Sequence, residues 1–175
     1  LLKRRARLRK DVIAISFDDY YKGWYRFVLP ICRENRIPFA VFVVTEPLDT
    51  RHMLFYDAIM QILEKTTKAT ADLSAYGFRP FSLSESCQVV HFMKTVSTMF
   101  RDKPLKEQRE FISTIENYFG AFINELQDES HILSWEQVIE MDRDGVTIGA
   151  HSASHPNMET LSHDECREEA LVSRI

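Results

Sequence analysis

Two short apolar runs, Val12 to Phe17 (Val-Ile-Ala-Ile-Ser-Phe) and Phe39 to Val44 (Phe-Ala-Val-Phe-Val-Val), constrain the fold more than any other feature of the chain. Neither alternates apolar with polar residues, which is the pattern of a strand covered on both faces. Between them, Phe27, Val28, Ile31 and Cys32 share one face of a helix expected over about Trp24 to Asn35, with Pro30 kinking it or restarting its first turn. Strand, helix and buried strand make a βαβ unit with a right-handed crossover and a parallel sheet, so the fold class is α/β. A third run, Val146 to Ala150, follows a helix opened by the capping-box spacing of Ser134 and Gln137 and closed at Gly145. Ser162 and Glu165 repeat that spacing and open a last helix.

From Glu46 to His131 the pattern is helical, without clear strands. Met53, Tyr56, Ile59, Met60 and Leu63 mark one apolar stripe, and Val89, Met93, Val96, Met99 and Phe100 a second. Pro104 is placed at the first position of a third helix, with Phe111, Ile115, Tyr118 and Phe122 as its stripe. Residues 46–131 therefore read as a helical insertion.

Composition excludes several classes. A 27% charged fraction with twelve Phe in 175 residues belongs to a packed globule rather than a disordered chain. No apolar run approaches the roughly 18 residues that span a bilayer. Six of the 22 basic residues lie in a basic arm over residues 1–10, leaving residues 11–175 with 16 basic against 26 acidic side chains. Such a body lacks the basic face that displaces counterions from nucleic-acid phosphates, so no nucleic-acid partner is expected. Cys32, Cys87 and Cys166 form no C-x-x-C pair and read as buried thiols. The arm lacks the apolar segment of a signal peptide, which favours a cytoplasmic setting, although a parent protein in the cell envelope or outside the cell stays open.

Chemistry concentrates at the ends of two expected parallel strands, where α/β folds gather reactive groups. The first strand ends in Ser16-Phe17-Asp18-Asp19-Tyr20. Two close carboxylates divide their labour when one is neutralised by a metal and the other stays a free base. The third strand ends in His151-Ser152-Ala153-Ser154-His155-Pro156. Two imidazoles four residues apart reach one metal ion if the backbone between them turns, and Pro156 holds His155 out of a helix. Either motif alone is weak evidence. Together, one Asp and two His supply three ligands and leave a fourth position open, which points to metal-assisted hydrolysis of an acyl group. A serine esterase is disfavoured because no G-x-S-x-G turn is present.

These two motifs resemble those of the polysaccharide deacetylases with a NodB-like domain, carbohydrate esterase family 4. Ser16-Phe17-Asp18-Asp19 is similar to the family's Thr-Phe-Asp-Asp-Gly, and His151 to Pro156 to its His-Ser/Thr-x-x-His-Pro. The resemblance covers residues 11–45 and 132–175. It implies part of a distorted (β/α)7 barrel, interrupted by the 46–131 insertion, that removes N-acetyl or sometimes O-acetyl groups from a sugar or polysaccharide substrate. It assigns Asp18 as catalytic base and Asp19, His151 and His155 as ligands of a divalent metal, zinc by ligand type, with Co, Mn or Ni also suited. Metal-bound water would attack the acetyl carbonyl while Asp18 takes its proton. Ser152 would steady the ligand loop.

The family's later Arg motif and Leu-x-His have no match, and roughly 90 residues with three strands remain outside the insertion where complete α/β barrels need about 200. The chain is therefore expected to be the N-terminal, incomplete part of such a domain, spanning residues 11–175. Tyr20 stands where the family has Gly, so either the turn is strained at Tyr20 or its side chain lines the substrate cleft. The alternative to a deacetylase is an inactive NodB-like module that binds a glycan or a protein.

Overall fold

Each strand of the main sheet is shorter than the apolar run that signals it, and the first reaches past its run to take in both carboxylates. The computed structural model describes residues 13–123 and 131–174; the basic arm and Val12 lie outside them. Strand β1 (Ser16–Asp19) leads through a wide π-helical turn (Trp24–Val28) into α1 (Leu29–Asn35), β2 (Ala40–Val43) and the short α2 (Glu46–Thr50). Helix α3 (Phe55–Lys65) precedes two-residue strands β3 (Thr70–Ala71) and β4 (Phe81–Ser82), then α4 (Ser86–Phe100) and α5 (Leu105–Phe119). Helix α6 (Trp135–Arg143), β5 (Thr147–Ala150) and α7 (His163–Val172) complete the order.

Among the described residues the main sheet is parallel and three-stranded, in the order β1-β2-β5. Asp19 pairs with Val43 and Val43 with Ala150, so the carboxyl ends of the outer strands stand on either side of β2 at the same level. Val41 and Val43 are fully buried under Leu29, Cys32, Val138 and Met141, which the π turn, α1 and α6 bring onto one face. The opposite face corrects the expectation of strands covered on both sides. Ser16 and Asp18 are exposed, Ile13 is 87% exposed and Phe42 38%, because the helices of the described residues cover this sheet from one side only. Phe42 lies across Gly149, where a Cβ would come within 2.7 Å of its ring.

Pro30 restarts the first helix, occupying the first turn of α1 where its missing N–H leaves no bond unmade. The π turn before it inserts an extra residue per turn and rotates the helix, so Leu29 and Cys32 face inward while Phe27 and Ile31 of the expected stripe face solvent. Both capping boxes form, at Ser134/Gln137 and at Ser162/Glu165, and Gly145 takes φ +89° just after α6. Cys32 is buried as expected, but Cys87 is exposed and Cys166 half-buried.

The helical stretch has its own core, which includes Phe55, Ile59, Ile62, Phe92, Val96, Phe111, Ile115 and Phe119. Aromatic rings dominate it, with Phe100 against Phe111 at 4.2 Å and Phe81 against Phe92 at 4.5 Å between centroids. Phe119 replaces the expected Phe122, which is exposed, and Pro104 caps α5 rather than starting it. The antiparallel β3-β4 pair corrects the strand-free reading of this stretch. Among the described residues no helix is long and apolar enough to cross a membrane.

Candidate metal centre

Strand order brings the two motifs together. Asp19 is the last residue of β1, and His151 directly follows β5, its N–H extending the ladder to the Val43 carbonyl at 2.8 Å. The Nε2 atoms of His151 and His155 stand 3.9 and 3.4 Å from the same Asp19 oxygen, Oδ1. One donor atom from each of the three residues lies within 4.8 Å of the others. All three are partly exposed, so the cluster opens to solvent rather than lying sealed in the core.

This convergence depends on backbone that L-residues seldom adopt. Asp19 has φ +75°, Ser152 +62° and His155 +60°. The other non-glycine residues with positive φ among the described residues, Arg36 and Arg51, sit at helix C-caps, where the left-handed conformation is ordinary. The first three stop no helix; they turn the ligand loops so that both imidazoles face the carboxylate. Strained residues persist only where surrounding bonds over-determine them, and those bonds are present. Glu169 of α7 accepts from the N–H groups of Ala153 and Ser154 at 2.9 and 3.0 Å and from the Ser154 hydroxyl at 2.6 Å. The Ser152 hydroxyl accepts from the His155 N–H at 3.1 Å, and the Ala153 carbonyl accepts from the Glu46 N–H at 2.8 Å.

The donor set, two imidazole nitrogens and a carboxylate oxygen, is that of a zinc site with a position left open, and it also accommodates Co, Mn or Ni. Electrostatics agree. Burial pushes the Asp19 carboxyl above its ordinary pKa; His155 and His151 pull it down, and the carboxylates of Asp57 and Asp18 push it up again. A carboxylate that is poorly accommodated alone, facing two imidazoles, becomes favourable once a divalent cation joins the three.

Asp18 stands outside the three-donor cluster. It is exposed, its main-chain carbonyl accepts from Trp24 Nε1 at 2.9 Å, and its charge reaches Asp19. Tyr20 takes neither expected arrangement. The left-handed residue of the turn is Asp19, one position earlier, and the Tyr20 side chain is only 1% exposed instead of lining the cleft. Its hydroxyl donates to Asp57 Oδ2 at 2.5 Å and accepts from the Leu54 N–H at 3.1 Å. Tyr21 also donates to Asp57, with contacts of 3.0 and 2.9 Å to its two oxygens. Burial, reinforced by Asp57, drives both phenols well above their ordinary pKa. A cavity of about 720 Å³ runs from Asp19 and His155 between the two cores, walled by Tyr21 and by Phe55, Asp57 and Ile112 of the helical stretch.

Sequence reasoning missed Tyr21, Asp57 and Glu169. Tyr21 adjoins the carboxylate motif and was within reach of it. Asp57 and Glu169 lie on helices as ordinary polar residues, and no local pattern distinguishes them.

A sequence profile of the family described as polysaccharide deacetylase matches residues 5–79 and 93–174. It spans Asp18-Asp19, His151 to Pro156 and much of the helical stretch, leaving out 80–92 between its segments. No curated protein and no solved structure matches the chain.

Proposed function

The chain belongs to the polysaccharide deacetylase family, and from that premise we propose that it hydrolyses acetyl groups, N-acetyl foremost, on a sugar or polysaccharide, with a divalent cation held by Asp19, His151 and His155. The observation that carries this reading is the approach of two imidazole nitrogens to a single oxygen of Asp19 at the carboxyl ends of parallel strands. A bound divalent cation supplies Lewis acidity, polarising an acyl carbonyl and making water easier to deprotonate. Asp18, exposed and next to Asp19 in the chain, accepts the proton of the attacking water on its carboxylate. Ser152 and Glu169 hold the His151 to His155 loop in the conformation that presents both imidazoles. The cavity beside Asp19 and His155 has the size of a small-ligand site and receives the acetylated sugar unit. In this reading the three-stranded sheet is part of a distorted (β/α)7 barrel, and residues 46–131 are an insertion that walls the cavity.

Acetate release from an N-acetylglucosamine oligomer tests it. Treatment with a chelator is expected to abolish release, zinc or cobalt to restore it, and Asp19→Asn to prevent restoration. Release that ignores both the chelator and Asp19→Asn overturns the reading.

A further inference from the structure

The deacetylase reading leaves without a role the side chains that tie the turn after Asp19 to helix α3. Tyr20 follows Asp19 directly and is fully buried in the sheet core, where close packing restrains its ring. Its hydroxyl is fixed twice, by the N–H of Leu54 just before α3 and by the Asp57 carboxylate in the first turn of that helix. Tyr21 closes on the same carboxylate through both of its oxygens. Hydrogen bonds to an ionised acceptor are the stronger kind, and three phenol-to-carboxylate contacts meet on this one group.

The main chain is held as well. The Tyr20 carbonyl accepts from the Leu133 N–H at 2.8 Å, and the Asp19 carbonyl from the Val44 N–H at 3.3 Å. Asp19 is thus caught between the β1 ladder on one side and an anchored tyrosine pair on the other. Its φ of +75° is a conformation that a free aspartate leaves for extended backbone. Leaving it would swing the carboxylate off the two imidazoles. Asp57 bonds the side chains of both residues that follow Asp19 and is not one of the three clustered donors, so its effect on them runs through geometry.

We propose that Asp57 is a positioning residue of the metal centre: through the hydroxyls of Tyr20 and Tyr21 it locks the left-handed turn that aims Asp19 at His151 and His155. The inference rests on the metal-centre reading above and is independent of which substrate is hydrolysed. It also gives Tyr20 its role, since the side chain in the place of the family's glycine is the handle by which the helical stretch grips the ligand strand.

Zinc affinity by calorimetry and the d–d absorption spectrum of the cobalt-loaded protein test it in Asp57→Ala, Tyr20→Phe, Tyr21→Phe and the triple variant. Asp57→Ala is expected to weaken zinc binding about 10- to 100-fold, the usual effect of removing a group that orients a ligand, and to alter the cobalt spectrum. Tyr21→Phe should weaken binding severalfold, and the triple variant no more than Asp57→Ala, because all three break one linkage. Unchanged affinity and spectrum in a cooperatively folding Asp57→Ala overturn the proposal, as do additive losses. If Asp57→Ala does not fold, Tyr21→Phe decides, and wild-type affinity with a wild-type spectrum there overturns it. A wild-type protein that binds neither metal overturns this inference together with the metal-centre reading. One that binds metal but releases no acetate overturns the deacetylase reading alone.

Discussion

The two cores of this chain are assembled in opposite ways. The helical core draws on residues 55–121, one continuous segment, and is filled with stacked and tilted phenyl rings. The sheet core joins residues 20–48 to residues 132–146, so its halves meet only after the helical stretch has been looped out between them. Closing such a loop costs conformational entropy, and a segment that folds on itself brings its own ends together and reduces that cost. Asp19, His151 and His155, the three side chains that could hold a metal ion, belong to the sheet half, as do the three left-handed residues among the described residues that no helix end accounts for. The half drawn from one continuous segment has ordinary backbone; the half drawn from two distant segments holds the unusual backbone and the three candidate donors.

That contrast can be broken or sharpened by experiment. The largest effect expected is on chemistry alone. Asp18→Asn should lower acetate release about 10²- to 10⁴-fold while zinc affinity and the thermal midpoint stay near wild type, and an equal loss of zinc binding would merge the base with the ligand set. Next comes a lesion confined to the helical half. Phe111→Ala removes a ring that packs on Phe55, Phe78 and Phe100, and denaturant unfolding should show a loss of about 3–5 kcal/mol. If zinc then raises the midpoint of this variant by less than it raises that of wild type, the sheet half depends on the helical half to close its loop; equal shifts would make the two cores independent.

Smaller is Glu169→Gln, which takes away the charge that receives two loop N–H groups and a hydroxyl. Zinc affinity should fall about tenfold, the low end for a group supporting a ligand, with little change in the metal-free midpoint. The smallest effect has opposite signs with and without metal. Because the fold raises the Asp19 pKa above its ordinary 3.8, the stability it contributes is present below that value and lost as pH rises through the raised one. Metal-free Asp19→Asn should therefore melt slightly higher than wild type at neutral pH, and the difference should vanish in acid. With zinc present the order should invert. A metal-free variant that melts lower at neutral pH would mean that the imidazoles, rather than burial, set the Asp19 environment.

What could be read from the residues alone was what is encoded locally. Apolar runs placed β1, β2 and β5, and the serine caps placed α6 and α7, because each signal lies within a few residues of its effect. Asp18-Asp19 and His151 to Pro156 were legible because strand ends are where an α/β sheet exposes side chains. The inward face of the first helix was not, since the π turn that rotates it leaves no periodic mark. Nor were the Tyr20 and Tyr21 bonds to Asp57, which bridge more than thirty positions and depend on how two cores dock. Glu169 sits among the other acidic residues of α7, and only the path of the ligand loop singles it out.

The positive φ at Asp19 has a consequence for how such a protein responds to selection. Glycine is the residue that relaxes this backbone most fully, and glycine has no side-chain oxygen to give. A library screened for heat resistance with no metal in the medium should therefore enrich replacements at positions 19, 152 and 155 early, discarding the site while keeping the fold. The same library screened with zinc present should hold those positions fixed and find its gains elsewhere.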